Sequence, residues 1–261
     1  MQVTDPPLHG IGPGTYEFWW ARDGTLPIFV RDAHSLYLEN LAELGVVGLA
    51  LIALIVFGVL AVGIRRAVNP LQHERPWAAA ATAGCVVFAL AAAVDWAWEL
   101  SVLPVAFLML AAAVAGPRAN RPDEVLPARS WGPRGVIAGL ALLGLVAVAI
   151  PLAGASAVRA SQQDAGSGML GDALEQADRA AAVQPYAASP NLQRALVLEL
   201  RADYDAAAAA ARQATADEPT NWRTWLILAR IEAFRDDAPA AVRAYREARS
   251  LNPRSPVFTH E

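Results

Sequence analysis

Residues 44–64 read LGVVGLALIALIVFGVLAVGI, and Arg65 and Arg66 follow at once. No charge interrupts the run. At a helical rise of about 1.5 Å per residue, it matches a bilayer hydrocarbon core of about 30 Å. Three more apolar stretches follow. Residues 77–94 come after Arg75-Pro76, residues 101–116 are short but extendable through their flanks, and residues 136–153 come after Arg134. Four such segments in succession are hard to bury inside a soluble core, so they are expected to be membrane helices.

The arginines orient these helices. One connecting loop carries Arg65, Arg66 and Arg75, and another carries Arg118, Arg121, Arg129 and Arg134. The positive-inside rule puts both loops on the cytoplasmic side. The turn Asp95-Trp96-Ala97-Trp98-Glu99 is then external, with two indoles at interface depth. The N-terminal segment and everything after residue 154 are expected outside as well.

Composition removes several function classes. The 261 residues carry a net charge of -4, and no basic cluster suggests a nucleic-acid surface. The single Cys85 lies in an apolar run, cannot form an internal disulfide, and reads as a buried inert thiol. The first fourteen residues lack the basic start and apolar stretch of a signal peptide. Only four histidines are present, at 9, 34, 73 and 260, without paired ligand spacing, so no metal site is expected.

The C-terminal region repeats. Pro185, Pro219 and Pro253 recur at the 34-residue period of tetratricopeptide helix pairs. Trp225, Leu228 and Ala229 lie early in one unit, and Ala241, Tyr245 and Ala248 follow in its second helix. The preceding unit has Ala195, then Ala207, Ala211 and Ala214; before it come Ala173, Ala177 and Ala180. Small residues at these positions let paired helices approach closely. Asn221 can cap the helix that carries Trp225. The first half of the earliest unit, GASAVRASQQDAGS at residues 154–167, departs from the pattern. The competing reading is a set of generic Ala-rich helices with chance proline spacing.

The segment before the first span carries chemistry-bearing residues. HGIGPGTYEFWW places Gly10, Gly12 and Gly14 in alternation, which suggests a tight turn or close backbone approach. It lacks the spacing and the preceding strand of a dinucleotide fingerprint. Tyr16, Phe18, Trp19 and Trp20 suit either the membrane interface or stacking on sugar rings. His34 precedes a helix that Asp32 can cap, and shares one face with Tyr37, Leu38 and Leu41. Glu39 and Glu43 share another. From chemistry alone His34 is a bland helix-start residue, a general base, or a cationic partner for phosphate.

GIGPGTY followed by HSLYLENLAELG resembles the signature of the O-antigen ligase and polymerase family of bacterial membrane glycosyltransferases. That family pairs a Gly-x-Gly-x-Gly-[Thr/Ser]-[Phe/Tyr] stretch with a His-Asn-x-Tyr-Leu-x-x-x-x-Glu-x-Gly motif entering a membrane helix. Gly10, Gly12, Gly14 and Thr15 match the first element; His34, Tyr37, Leu38, Glu43 and Gly45 match the second. Ser35 stands where Asn is usual. The resemblance implies transfer of a polyprenyl-diphosphate-linked glycan to an acceptor glycan outside the cytoplasmic membrane, without cofactor, metal or nucleotide sugar. It implies His34 as base for the acceptor hydroxyl, Arg22 and Arg31 as ligands of the diphosphate, and Tyr37 and Glu43 in substrate binding. It also implies further membrane helices before the loop in which this chain begins.

The expected fold is all-α, with polytopic membrane helices followed by a short tetratricopeptide-like α-solenoid. An external loop segment (residues 1–35) precedes a membrane domain (36–154) with four transmembrane helices at 44–64, 77–94, 101–116 and 136–153. A repeat domain (155–261), external and open to a protein partner, follows. The alternative function is a noncatalytic membrane-anchored repeat module that organises an envelope assembly.

Overall fold

The computed structural model describes residues 8–26, 28–69, 75–116 and 131–259. Arg118, Arg121, Arg129, His73 and His260 lie outside the described residues. Every regular element among the described residues is helical. The chain divides into two compact units, Met1–Glu124 and Val125–Glu261.

The first unit contains α1 (Tyr16–Asp23), α2 (Leu36–Val68), α3 (Arg75–Val94), a 3-10 turn (Trp96–Glu99) and α4 (Val102–Ala115). The second contains α5 (Trp131–Gly166), α6 (Leu170–Val183), α7 (Ala188–Leu200), α8 (Tyr204–Asp217), α9 (Trp222–Phe234), α10 (Ala238–Leu251) and α11 (Pro256–Thr259). Three helices are long and apolar enough to cross a membrane: α2, α3 and the Ala138–Gly166 portion of α5. The apolar segment of residues 101–116 forms α4, whose 14 residues reach only about 21 Å. Leu140, Leu142, Leu143, Leu145 and Val146 of α5 are all exposed, covering every side of that helix. A helix apolar all round needs an apolar surrounding, and a bilayer supplies it.

Small side chains set the packing of α2, α3 and α4. Val56, Cys85, Ala89 and Phe107 form the buried cluster, and Phe88 stacks on Phe107 with ring centroids 4.6 Å apart. Gly63 lets α2 approach α3, since a Cβ there would lie 2.2 Å from Thr82 Oγ1. That hydroxyl donates to the Ala78 carbonyl at 2.6 Å, so it needs no water. Arg66 donates to the Gly116 carbonyl at 2.7 Å, satisfying an acceptor at the end of α4.

In the second unit, the helices pack pairwise and the backbone recurs at 34-residue intervals. Gly168, Ala202 and Asp236 all have left-handed φ, at 78°, 58° and 59°. Each closes the turn into α6, α8 or α10. Asp203 and Asp237 cap α8 and α10 through Ala206 N–H and Ala240 N–H. Asn221 caps α9 by accepting from Arg223 N–H, as its position predicted. Ala173, Ala177, Ala180, Ala207, Ala211, Ala214 and Ala248 are buried. The segment 154–167 is helical up to Gly166 as the end of α5, and it stands before α6 where α7 stands before α8. Ser161, 34 residues before Ala195, is fully buried. It donates to the Ala173 carbonyl at 2.7 Å and accepts from Gln193 Nε2 at 3.0 Å. A small residue therefore persists at the close approach, although the surrounding sequence differs.

Gly63→Leu drives a branched side chain into Thr82 and is expected to cost about 1–3 kcal/mol. Cys85, the only cysteine, is fully buried. A thiol-reactive dye therefore reads unfolding of this unit directly in detergent. The labelling midpoint should drop for Gly63→Leu and stay near wild type for Gly58→Leu, where nothing lies within 4 Å of a new Cβ.

Candidate functional site at the entrance to α2

Gly45 interrupts α2 with φ 67° and ψ -164°. The break leaves carbonyls of the preceding turn without the amides that would otherwise close it. Amides of the glycine-bearing loop take their place. Ile11 N–H donates to the Ala42 carbonyl and Gly12 N–H to the Glu43 carbonyl, both at 2.9 Å. Gly10 makes this approach possible, because a Cβ there would lie 2.4 Å from the Glu43 carbonyl.

The Glu43 side chain completes the clamp. Its two oxygens accept from Gly14 N–H at 2.8 Å and Tyr16 N–H at 3.1 Å. A carboxylate thus sits at the N-terminus of α1, where the helix dipole favours it. Thr15 donates to the Gly12 carbonyl at 2.6 Å and tightens the turn. Phe18 is buried, and Trp20 donates to the Ile28 carbonyl at 3.0 Å. Gly10, Gly12, Gly14, Glu43 and Gly45, which share one motif pattern in the sequence, share one hydrogen-bonded junction in space.

The loop into α2 is equally constrained. Its cap is Ser35, whose Oγ accepts from Leu38 N–H at 3.4 Å, rather than Asp32. Ser is as competent an N-cap as Asn, so the departure at this position keeps its local function. Glu39 accepts from Ala33 N–H at 3.0 Å. Between these anchors His34 is exposed and left-handed at φ 52°. Non-glycine residues pay roughly 1–3 kcal/mol for that region and hold it where neighbours impose it. Tyr37 donates to the Ala89 carbonyl at 3.2 Å and ties α2 to α3.

The 3-10 turn brings residues that the sequence reading left outside the site. One carboxylate oxygen each of Asp32, Glu39 and Glu99 lie within 4.8 Å of one another. Arg31 and His34 also face Glu99 electrostatically. Partial burial, and then the Asp32 carboxylate, push the Glu99 carboxyl above the ordinary range, while Arg31 and His34 pull it down. Next to Glu99, the indole N–H of Trp98 is buried and has no hydrogen-bond partner among the described residues. Arg22 pairs with Asp23 at 2.9 Å, at the far end of α1. The signal that could have found Glu99 was topological: the arginines already put its turn on the same side as His34.

The cluster mixes an imidazole, a guanidinium and three carboxylates. It can accept a proton, orient a hydroxyl and compensate an anion. Three carboxylate oxygens also match the donors that hard cations prefer. Comparison with protein families finds no model that matches the chain, and comparison with curated proteins finds no match.

Gly10→Ala should push the loop off α2, and the Ile11 and Gly12 amides should lose hydrogen-exchange protection. Glu43→Gln should have a smaller effect in the same direction, since one amide oxygen remains an acceptor. The Glu99 shift also predicts a pH dependence. A carboxyl with a raised folded-state pKa binds more protons folded than unfolded, so its contribution falls as pH rises through the window above the ordinary Glu value of about 4.3. Melting of wild type minus Glu99→Gln, followed upward through that window, should show wild type losing ground.

Proposed function

We propose that this chain forms the catalytic lip of a membrane glycosyltransferase similar to O-antigen ligases and polymerases. It transfers a glycan from a polyprenyl diphosphate to an acceptor glycan outside the cytoplasmic membrane. The observation that carries this reading is the junction itself. The two sequence elements behind the resemblance dock on each other through the backbone of six residues and the Glu43 carboxylate, at the entrance to the apolar helix that His34 precedes.

In this reading His34 removes the proton from the acceptor hydroxyl as its oxygen attacks the anomeric carbon. The bond from that carbon to the diphosphate oxygen breaks, and the electron pair leaves with the polyprenyl diphosphate. Arg31, beside His34, compensates the departing charge, with Arg22 further along the same segment. Glu99 orients the imidazole and stabilises its protonated form. Glu43 acts through the loop it clamps. Four helices cross the membrane, α4 among them with its flanks, and the helix pairs form an external tetratricopeptide-like solenoid. A second reading, a noncatalytic module that organises an envelope assembly, is favoured by the unbroken run of α5 from its apolar portion into the helix pairs.

Membrane vesicles carrying the full chain, given a polyprenyl-diphosphate-linked glycan and an acceptor glycan, test the two readings. His34→Asn keeps a side chain tolerant of left-handed backbone and should lower transfer by about 10²-fold or more. Arg31→Ala should lower it more than Arg22→Ala does. Transfer unchanged by His34→Asn removes the assigned role. Wild-type vesicles that transfer no more than empty ones, also when the preceding membrane helices that the resemblance implies are supplied, favour the noncatalytic module.

A further inference from the structure

The last helix pair exposes a face that the pair before it buries. Because α8 and α10 begin at Tyr204 and Ala238, their positions compare one to one at an offset of 34. Ala210 and Ala214 are buried, and so are their counterparts Ala244 and Ala248. Ala208 and Ala211 on α8 are fully buried, in one cluster with Leu228, Ala229 and Ile231 of α9. Their counterparts on α10 are Val242, which is 47% exposed, and Tyr245, which is partly exposed. Among the described residues, α8 has a long following helix, α9, against it, whereas α10 is followed only by the short α11, and its side chains at these positions are larger.

Helix α11 covers only the start of that face. Its Phe258 packs edge-on against Trp222 and Tyr245, at 6.0 and 5.4 Å between ring centroids. A groove of about 530 Å³ lies between α9 and α10, walled mainly by apolar side chains that include Leu226, Ile227, Val242 and Tyr245. Its charged wall residue, Arg230, is already paired with Glu199 at 2.7 Å.

Charge says what fits. Successive pairs are stitched by an ion pair from one equivalent position. Asp178 on α6 pairs with Arg194 on α7, and Arg212 on α8 pairs with Glu232 on α9. The third equivalent, Arg246 on α10, has no carboxylate partner among the described residues. The helix also carries Arg243 and Arg249 against a single acid, Glu247. A second copy of this face would oppose arginine with arginine, whereas an acidic helix would be attracted.

We propose that this face docks one amphipathic α-helix of a partner protein, acidic on its contact side. Apolar side chains of that helix fill the groove beside Val242 and Tyr245, and a carboxylate pairs with Arg246 as Glu232 pairs with Arg212. The inference stands apart from the chemistry at His34 and survives either reading of that site.

The probe is a fluorescein-labelled peptide of residues 221–235 with Arg223→Glu and Arg230→Glu, which turns a basic helix acidic and keeps Glu232. Its anisotropy is titrated with the full chain in detergent micelles, with binding to empty micelles subtracted. Saturable binding is expected, weakened about tenfold or more by Val242→Asp or Arg246→Glu. Both positions are exposed, so the variants should keep the wild-type circular dichroism. Adding Glu232→Arg to the peptide should restore affinity for Arg246→Glu. Equal affinity for all three chains overturns the proposal, as does equal binding of a Leu228→Pro peptide. Self-association of the chain that Val242→Asp abolishes assigns the face to a second copy and overturns it too.

Discussion

The backbone break at Gly45 is the constraint on which the N-terminal half of the molecule depends. A carbonyl released from a helix beside an apolar surrounding must find another donor, because an unsatisfied buried acceptor costs about 1–3 kcal/mol. The amides of Ile11 and Gly12 meet that need for Ala42 and Glu43. The Glu43 carboxylate reciprocates by accepting from Gly14 and Tyr16. Break, loop and carboxylate therefore presuppose one another. None of the three is a plausible local minimum alone: the loop without the break has no carbonyls to dock on, and the break without the loop leaves them unmet.

That junction decides where the chain re-enters α2. Ser35 and Glu39 hold the last turn before the helix, and His34 takes a left-handed conformation between them. The strain is local, and the anchors on both sides supply its compensation. The turn between α3 and α4 then delivers Glu99 to a cluster that already holds Asp32 and Glu39. Like charges so close are tolerated because Arg31 and His34 share the site. An imidazole next to a carboxylate at a water-facing helix start is the arrangement the proposed glycan transfer needs.

The second unit uses a different economy, with alanine in place of bulk. Ala207, Ala211 and Ala214 leave no room for voids only because the facing helices come close. Each pair turns through a left-handed residue between its two helices, and α8, α9 and α10 are capped by Asp203, Asn221 and Asp237, so much of the shape is locally specified. What changes along the array, among the described residues, is the length of the helix that follows: α9 after α8, and only the short α11 after α10. Val242 stays exposed on α10, although its own helix is as well formed as α8.

Local features were legible from the residues in order. The uncharged run at 44–64, the 34-residue recurrence and the Asn221 cap are all set by neighbours within a few turns. The helical end of α5 was not, because GASAVRASQQDAGS lacks the usual residues and is held in place by Ser161 contacts to α6 and α7. Glu99 beside His34 was not either, nor was the grip of the loop on Glu43. Those residues lie tens of positions apart, and their side chains meet only once the helices between them have packed. Periodicity and hydropathy act along the chain, so sequence alone located the apolar segments and the regular helices of the repeats. Which amide meets which carbonyl, and which carboxylates share a site, depended on close approach in space, and only the tertiary structure decided it.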